Sequence, residues 1–393
     1  MNGGDCTLCI DGEATTILDH KTGERRPGTF DDVITATRLI DALDEVGMWW
    51  FMLEPSDSGD SMADYVRYTR QIIANFSKHL QHGTTTTDQA PWYLEVLQTV
   101  FGDKETIRRT HPVSFLLCPL SPLGIEGPYT DAYLALLGWD IPVAAMPMPL
   151  MGGTSPGSLI STVVQGNCEV LSMLCLIEAG APGTPFIYAP ALAVMDPRTG
   201  RYSPGAIESA VLGSAAIEMA RYYGLPAEGT GGGTECYVPS IQAGYERTAG
   251  VFLPFLSWPD VQVGPGLLGG SMILSFEQLL IDVEVFRMAK QAHKGIDTSD
   301  DKWLLDVIDK VGPAGTFMGE RSTRKGVREG EWYVSTFGLH DTYEKWDRAG
   351  RPTLLEEARQ RVDEILESHE PMPLDEDVER ELARIEERAR AES

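Results

Sequence analysis

Residues 229–246 read GTGGGTECYVPSIQAGYE, and residues 263–288 read VGPGLLGGSMILSFEQLLIDVEVFRM. Each stretch opens on a glycine-rich turn and runs on into a patterned helix. Glycine reaches backbone conformations closed to other residues and lets neighbouring backbone come close, so such clusters mark tight turns. Two of them in succession predict consecutive strand–turn–helix units. Those junctions are where α/β enzymes place their chemistry.

The same rhythm extends towards the N-terminus. VSFLLCP (113–119) is a short apolar run closed by proline, and IPVAAMPMP (141–149), PFIYAPA (185–191) and WWFMLEP (49–55) repeat it. Runs of this length bounded by turn residues read as buried strands. Helical periodicity falls between them, over 61–76, 128–137, 158–179, 206–223, 247–256 and 275–292. Alternating strand and helix requires a parallel sheet, because parallel neighbours need crossover helices. No G-x-G-x-x-G follows the first strand, and Gly231-Gly232-Gly233 lacks the spacing of a phosphate loop. The expected fold class is α/β: a (β/α)8 TIM-type barrel over residues 47–345. Residues 1–46 read as a peripheral N-terminal hairpin and helix, and 346–393 as C-terminal helices packed on the barrel.

Composition narrows the function. The 393 residues hold 32 basic and 58 acidic side chains, a net charge of −26. Such a surface argues against nucleic acid and anionic membrane as partners. Six scattered cysteines suit a reducing compartment, and the polar start carries no signal-peptide pattern, so a cytoplasmic protein is expected. Cys6 and Cys9 form a lone C-x-x-C with no second pair or histidine nearby, and no histidine spacing resembles a metal motif, so no metal site is expected.

Residues following the strands are the site candidates. They include Ser121, Glu126 and Tyr129, then Gly152 to Ser155, then Glu235, Cys236 and Tyr237, then Gly264 and Gly266. Histidine is scarce among them and no G-x-S-x-G elbow occurs, which disfavours triad hydrolysis. Aromatic residues are the better signal: Tyr188, Tyr237 and Trp258 fall near the expected mouth, and aromatic faces attract quaternary ammonium. Most aromatics at such positions are simply core, and these residues suit that role as well. Glu235 and Glu246 are candidate counter-charges.

Several long stretches carry a resemblance. LDHKTGERRPGTFDDV (18–33), PLMGGTSPGSL (149–159), GAPGTPFIYAPALAVMDPRTGRYSPGAIE (180–208), ARYYGLPAEGTGGGTECYVPSIQAGYE (220–246), LLGGSMILSFEQLLIDVEV (267–285) and EKWDRAGRPTLLEEARQRVDEIL (344–366) are similar to the trimethylamine methyltransferase family. The resemblance implies a β/α barrel that moves a methyl group from a methylated amine to the cobalt of a corrinoid protein. It implies no tightly bound cofactor: the corrinoid rides on a partner. In one branch, pyrrolysine stands near the turn that here reads Gly264-Pro265-Gly266-Leu267, all ordinary residues. This chain therefore resembles the branch that demethylates quaternary amines such as glycine betaine. Glu235, Tyr237, Gln242, Tyr188 and Trp258 are then the expected substrate contacts, and the loops at Gly153, Thr154, Gly264 and Gly266 the expected corrinoid-facing surface. A homo-oligomer is expected. The family pattern G-G-H-F-L is here Gly315-Thr316-Phe317-Met318, without its histidine. That departure keeps open an alternative: a non-catalytic or divergent barrel that binds quaternary amines.

Overall fold

The structure is a computed structural model that describes residues 5–10, 12–336 and 338–392. Eight parallel strands form one sheet: β1 (Thr7–Ile10), β2 (Val46–Trp49), β3 (His79–Gln81), β4 (Val113–Leu117), β5 (Val143–Ala145), β6 (Phe186–Tyr188), β7 (Glu228–Gly229) and β8 (Val261–Val263). Their order around the sheet is β7-β8-β1-β2-β3-β4-β5-β6. A parallel bridge between Tyr188 and Ala227 joins the two ends and closes the barrel.

A helix follows every strand: α1 (Phe30–Asp41), α2 (Met62–Asn75), α3 (Ala90–Phe101), α4 (Gly127–Leu134), α5 (Leu159–Gly180), α6 (Ile207–Tyr223), α7 (Ile241–Leu256) and α8 (Phe276–His293). Local chemistry fixes their starts. Thr29 with Asp32, and Ser61 with Asp64, form capping boxes that satisfy orphan N–H groups of α1 and α2. Ser240 and Ser275 cap α7 and α8. The strands are short, and β4, β5 and β6 are buried along their whole length, which is why these three read as continuous apolar runs.

The barrel begins earlier than the sequence suggests. Thr7–Ile10 belongs to the central sheet, paired in parallel with β8 and β2, and the expected start at residue 47 is corrected to residue 7. Four residues carry too little periodicity to separate a strand from a loop. They also place Cys9 inside the barrel and bury Cys6, so the C-x-x-C is strand packing. A hairpin does follow, Thr16–Leu18 against Arg25–Pro27. It joins the β8–α8 loop, Ile273–Leu274 pairing in parallel with Thr16–Ile17, and makes a four-stranded sheet beside the mouth. A three-stranded sheet from the loops after β5 and β6 forms another wall.

Helix α9 (Leu354–Ser368) packs on α8 and α1, and α10 (Glu376–Glu392) on α2 and α3. Ala358, Val362, Leu382, Ile385 and Ala389 are fully buried in these contacts. Helix α5 is long and apolar enough to cross a membrane, yet it buries Glu169, Val170, Met173 and Ile177 against its neighbours as part of the helical ring.

Candidate active site at the barrel mouth

At the C-terminal ends of the strands lies a cavity of about 790 Å³. Glu13, Trp50, Glu126, Tyr129, Met146 and Tyr202 stand on its wall. Each arrives from a different piece of local structure. Glu13 follows β1 in a left-handed backbone conformation, φ 45°, and its N–H donates to the Phe51 carbonyl at 3.0 Å. Such a conformation costs a non-glycine residue about 1–2 kcal/mol and needs surrounding structure to hold it. Its carboxyl opens to solvent inside the concave wall. Burial by that wall, and then the neighbouring Glu54 carboxylate, push it above the usual glutamate value.

Trp50 is the residue just beyond β2. It packs on both apolar clusters of the barrel interior, one around Leu116, Ala144 and Ile187 and the other around Cys9, Met48 and Val263. It therefore forms a floor with one face towards the cavity. Glu126 caps α4 by accepting from the Tyr129 N–H at 2.7 Å. Tyr129 donates its hydroxyl to the Leu116 carbonyl at 2.7 Å, and burial pushes its phenol up.

The glycine turns explain themselves here. A Cβ on Gly231 would meet the Gly250 carbonyl oxygen at 2.3 Å, so the turn after β7 lies directly on α7. The turn after β8 is held from behind by a buried ion pair. Arg247 and Asp282 are 1% and 3% exposed and 2.9 Å apart; Arg247 donates to the Gly264 carbonyl at 2.7 Å, and Asp282 accepts from the Gly266 N–H at 2.7 Å.

Deeper in the barrel, Glu228 accepts from Gln81 Nε2 at 2.9 Å, and His79 pairs with Ser114 Oγ at 2.8 Å. Burial lowers His79 to about 4, so it is neutral. A second chamber of about 990 Å³ shares Glu13, Trp50 and Tyr129 with the first and adds Glu54, Asp64 and His82. His82 bonds Thr69 Oγ1 at 3.0 Å, and burial holds it near 4 as well. Among the described residues, no group of three or more His, Cys, Asp or Glu is placed to hold a metal ion.

The residues expected from sequence divide between mouth and scaffold. Thr154 and Gly264 line the cavity, as do Glu126 and Tyr129; Gly153 and Gly266 stand behind it. Glu235 accepts from Ser203 Oγ and from the Gly205 N–H at 3.3 Å, fastening one mouth loop to another. Tyr237 lies on the rim, its hydroxyl accepting from Arg201 at 3.1 Å, and Gln242 bonds Glu246 at 2.7 Å on an outer turn of α7. Tyr188 departs from the expectation. It points out of the barrel, donating to Asn167 on α5 at 3.0 Å, because alternation along β6 turns Ile187 inward instead. Trp258 departs too: it precedes β8, at the opposite end of the barrel, stacked on His293 at 3.9 Å. Glu13, Trp50 and Tyr202 were missed. Reading TLCI as a strand would have delivered Glu13, and ending the next strand at Trp49 would have turned Trp50 into the mouth.

Comparison with known proteins agrees with this architecture. A trimethylamine methyltransferase MttB of Methanosarcina barkeri (strain Fusaro / DSM 804) is 31% identical over 361 residues, covering 91% of this chain and 72% of that protein. A glycine betaine methyltransferase of Desulfitobacterium hafniense (strain Y51) is 29% identical over 382 residues, covering 97% and 79%. The crystal structure of the M. barkeri monomethylamine methyltransferase MtmB superposes with a TM-score of 0.52 at 12% identity, over 92% of this chain and 72% of that one, a likeness of fold. The family model for trimethylamine methyltransferase (MTTB) matches residues 2–393, from before β1 to beyond α10, and the chain belongs to that family.

Proposed function

We propose that this protein moves a methyl group from a quaternary amine, the class that includes glycine betaine, to the Co(I) centre of a corrinoid carried by a partner protein. One observation carries the reading. The mouth cavity combines aromatic walls, Trp50, Tyr129 and Tyr202, with two carboxylates, Glu13 and Glu126. Among the described residues, no lysine, arginine or histidine lines it. Aromatic faces and a carboxylate attract a cation that has no N–H to donate.

The chemistry asks little more of the protein. A quaternary nitrogen leaves as a neutral amine, so no residue need protonate it. The methyl acceptor supplies the nucleophile. The chain's work is to hold the cation, aim one methyl outwards and keep the geometry fixed, and positioning of that kind is a large source of rate. Met148, Tyr202, Tyr237, Val238 and Met272 leave apolar surface exposed around the mouth, which suits cover by the corrinoid protein. In the same reading, a second copy covers the outer faces of α5 and α6.

The test is methyl transfer to cob(I)alamin, followed by its absorbance, from quaternary amines and from trimethylamine. Transfer from a quaternary amine and none from trimethylamine is expected. Transfer from trimethylamine alone would overturn the substrate class. Tight amine binding with no transfer to cob(I)alamin or to a corrinoid protein would instead support the binding-only barrel.

A further inference from the structure

The charge of the mouth says more than that a cation binds. Every lysine, arginine and histidine of the chain lies among the described residues. Two arginines adjoin residues of the cavity wall, and both have partners outside it. Arg201, beside Tyr202, donates to the Tyr237 hydroxyl at 3.1 Å on the rim. Arg247, behind Gly264, is buried and compensated by Asp282 at 2.9 Å. Of the helix N-termini at the mouth, another common anion partner, three are occupied, with Glu126 capping α4, Ser240 capping α7 and Ser275 capping α8, while α5 and α6 start at Ser158 and Ala206 without a side-chain cap and so offer an anion backbone N–H groups but no cationic side chain. The adjoining chamber adds Glu54, Asp60, Asp64 and Asp88, with no lysine or arginine on its wall.

A betaine is a zwitterion. Its carboxylate is tied within a few bonds of the ammonium and must enter with it. In this cavity that carboxylate would lose water, find no cationic partner and stand near Glu13 and Glu126. Desolvation of an unpaired anion and like-charge repulsion both oppose it. A quaternary amine whose fourth substituent is neutral keeps the attraction and avoids both costs. Hydroxyl groups of Thr85, Thr154 and Ser271 on the wall suit a neutral polar substituent.

We infer that the mouth selects quaternary amines of net positive charge, with a neutral hydroxyl or alkyl arm, over carboxylate-bearing betaines. The inference rests on the reading above that a quaternary amine occupies the mouth, and it narrows that class.

Choline and glycine betaine are the discriminating pair: both carry trimethylammonium and differ in a hydroxymethyl against a carboxylate. Calorimetry on the full chain at about 0.1 M salt should give choline and tetramethylammonium affinities about tenfold or more tighter than glycine betaine. Methyl transfer to cob(I)alamin should rank the three in the same way. Glu13→Gln and Glu126→Gln should each weaken choline severalfold and narrow its advantage over glycine betaine. Glycine betaine binding as tightly as choline, or its binding lost specifically in Arg201→Gln, would overturn the inference while leaving the quaternary-amine reading intact. Binding of none of the three by the folded protein would overturn that reading, and this inference falls with it.

Discussion

In the proposed reading, Trp50, on the cavity wall, is the residue on which recognition of a cation turns. Its ring lies on the two interior clusters and is fixed by them, so little side-chain entropy remains to lose when a ligand arrives. A desolvated cation–π contact contributes on the order of 1–2 kcal/mol, about five- to thirtyfold in affinity. Trp50→Ala should therefore weaken tetramethylammonium binding by about tenfold, and Trp50→Phe by only a fewfold, both read by calorimetry. Equal losses in the two variants would point to packing rather than to the aromatic face. At this scale the sequence was partly legible. Thr154, Gly264, Glu126 and Tyr129 follow directly from being just past strands, since barrel chemistry collects there. Tyr188 and Trp258 show the limit of proximity in sequence. One side chain on a strand faces the helices while its neighbour faces the lumen, and a residue just before a strand lies at the far end of the barrel from one just after it.

Among the elements, α9 is held by a titratable staple. His20, on the hairpin after β1, places Nδ1 3.0 Å from Glu277 and Nε2 3.1 Å from Asp363 of α9. Both ring nitrogens face carboxylates, so the charged imidazolium is the fitting form, and the Glu277 hydrogen bond, against the effect of burial, raises His20 above its ordinary 6.5. Burial alone would raise Glu277; the hydrogen bonds from His20 and its own N–H outweigh it and hold the carboxyl below its ordinary 4.5. The signs give a window. The raised histidine contributes fully below 6.5 and is lost as pH climbs through its raised value; the lowered carboxyl contributes above 4.5 and is lost as pH falls through its lowered value. The staple is thus strongest between 4.5 and 6.5. His20→Ala should cost about 1–3 kcal/mol within that window and less above it, measured by denaturant unfolding at several pH values. A pH-independent loss would show that His20 acts only by packing. Legibility differed among the elements for a related reason. Helices announce themselves over three or four turns and through caps such as Thr29, Ser61 and Ser275. The two residues of β7 announce nothing, and one of them is Glu228, a carboxylate 1% exposed in the barrel, where polarity argues locally against a strand.

For the whole molecule, the question is which surfaces remain to be covered. Helices α5 and α6 pack side by side, and each carries an outward apolar stripe at the i, i+4 spacing of one helical face. Ile160 and Val164 on α5 are 70% and 56% exposed; Ile207 and Val211 on α6 are 51% and 45% exposed. On a chain of net charge −26 such side chains are conspicuous, because like charge elsewhere resists random association and leaves a patch of this kind as the surface two copies can share. The stripes occupy the first turns of α5 and α6, at the mouth end of the helical ring, and none of the four residues lines the cavity, so pairing there is compatible with a cavity open to substrate and acceptor. Sedimentation at micromolar concentration should therefore show a species larger than one chain. Val164→Glu combined with Val211→Glu should yield the single chain, since two buried carboxylates would face their symmetry mates. The same variant should bind choline as the parent does, because neither position touches the cavity. A parent protein that sediments as one chain, or a charged variant that still associates, would move the contact elsewhere on the barrel. The apolar rim of the mouth would then be the next surface to change, and a substitution there would be read in methyl transfer to the corrinoid protein rather than in sedimentation.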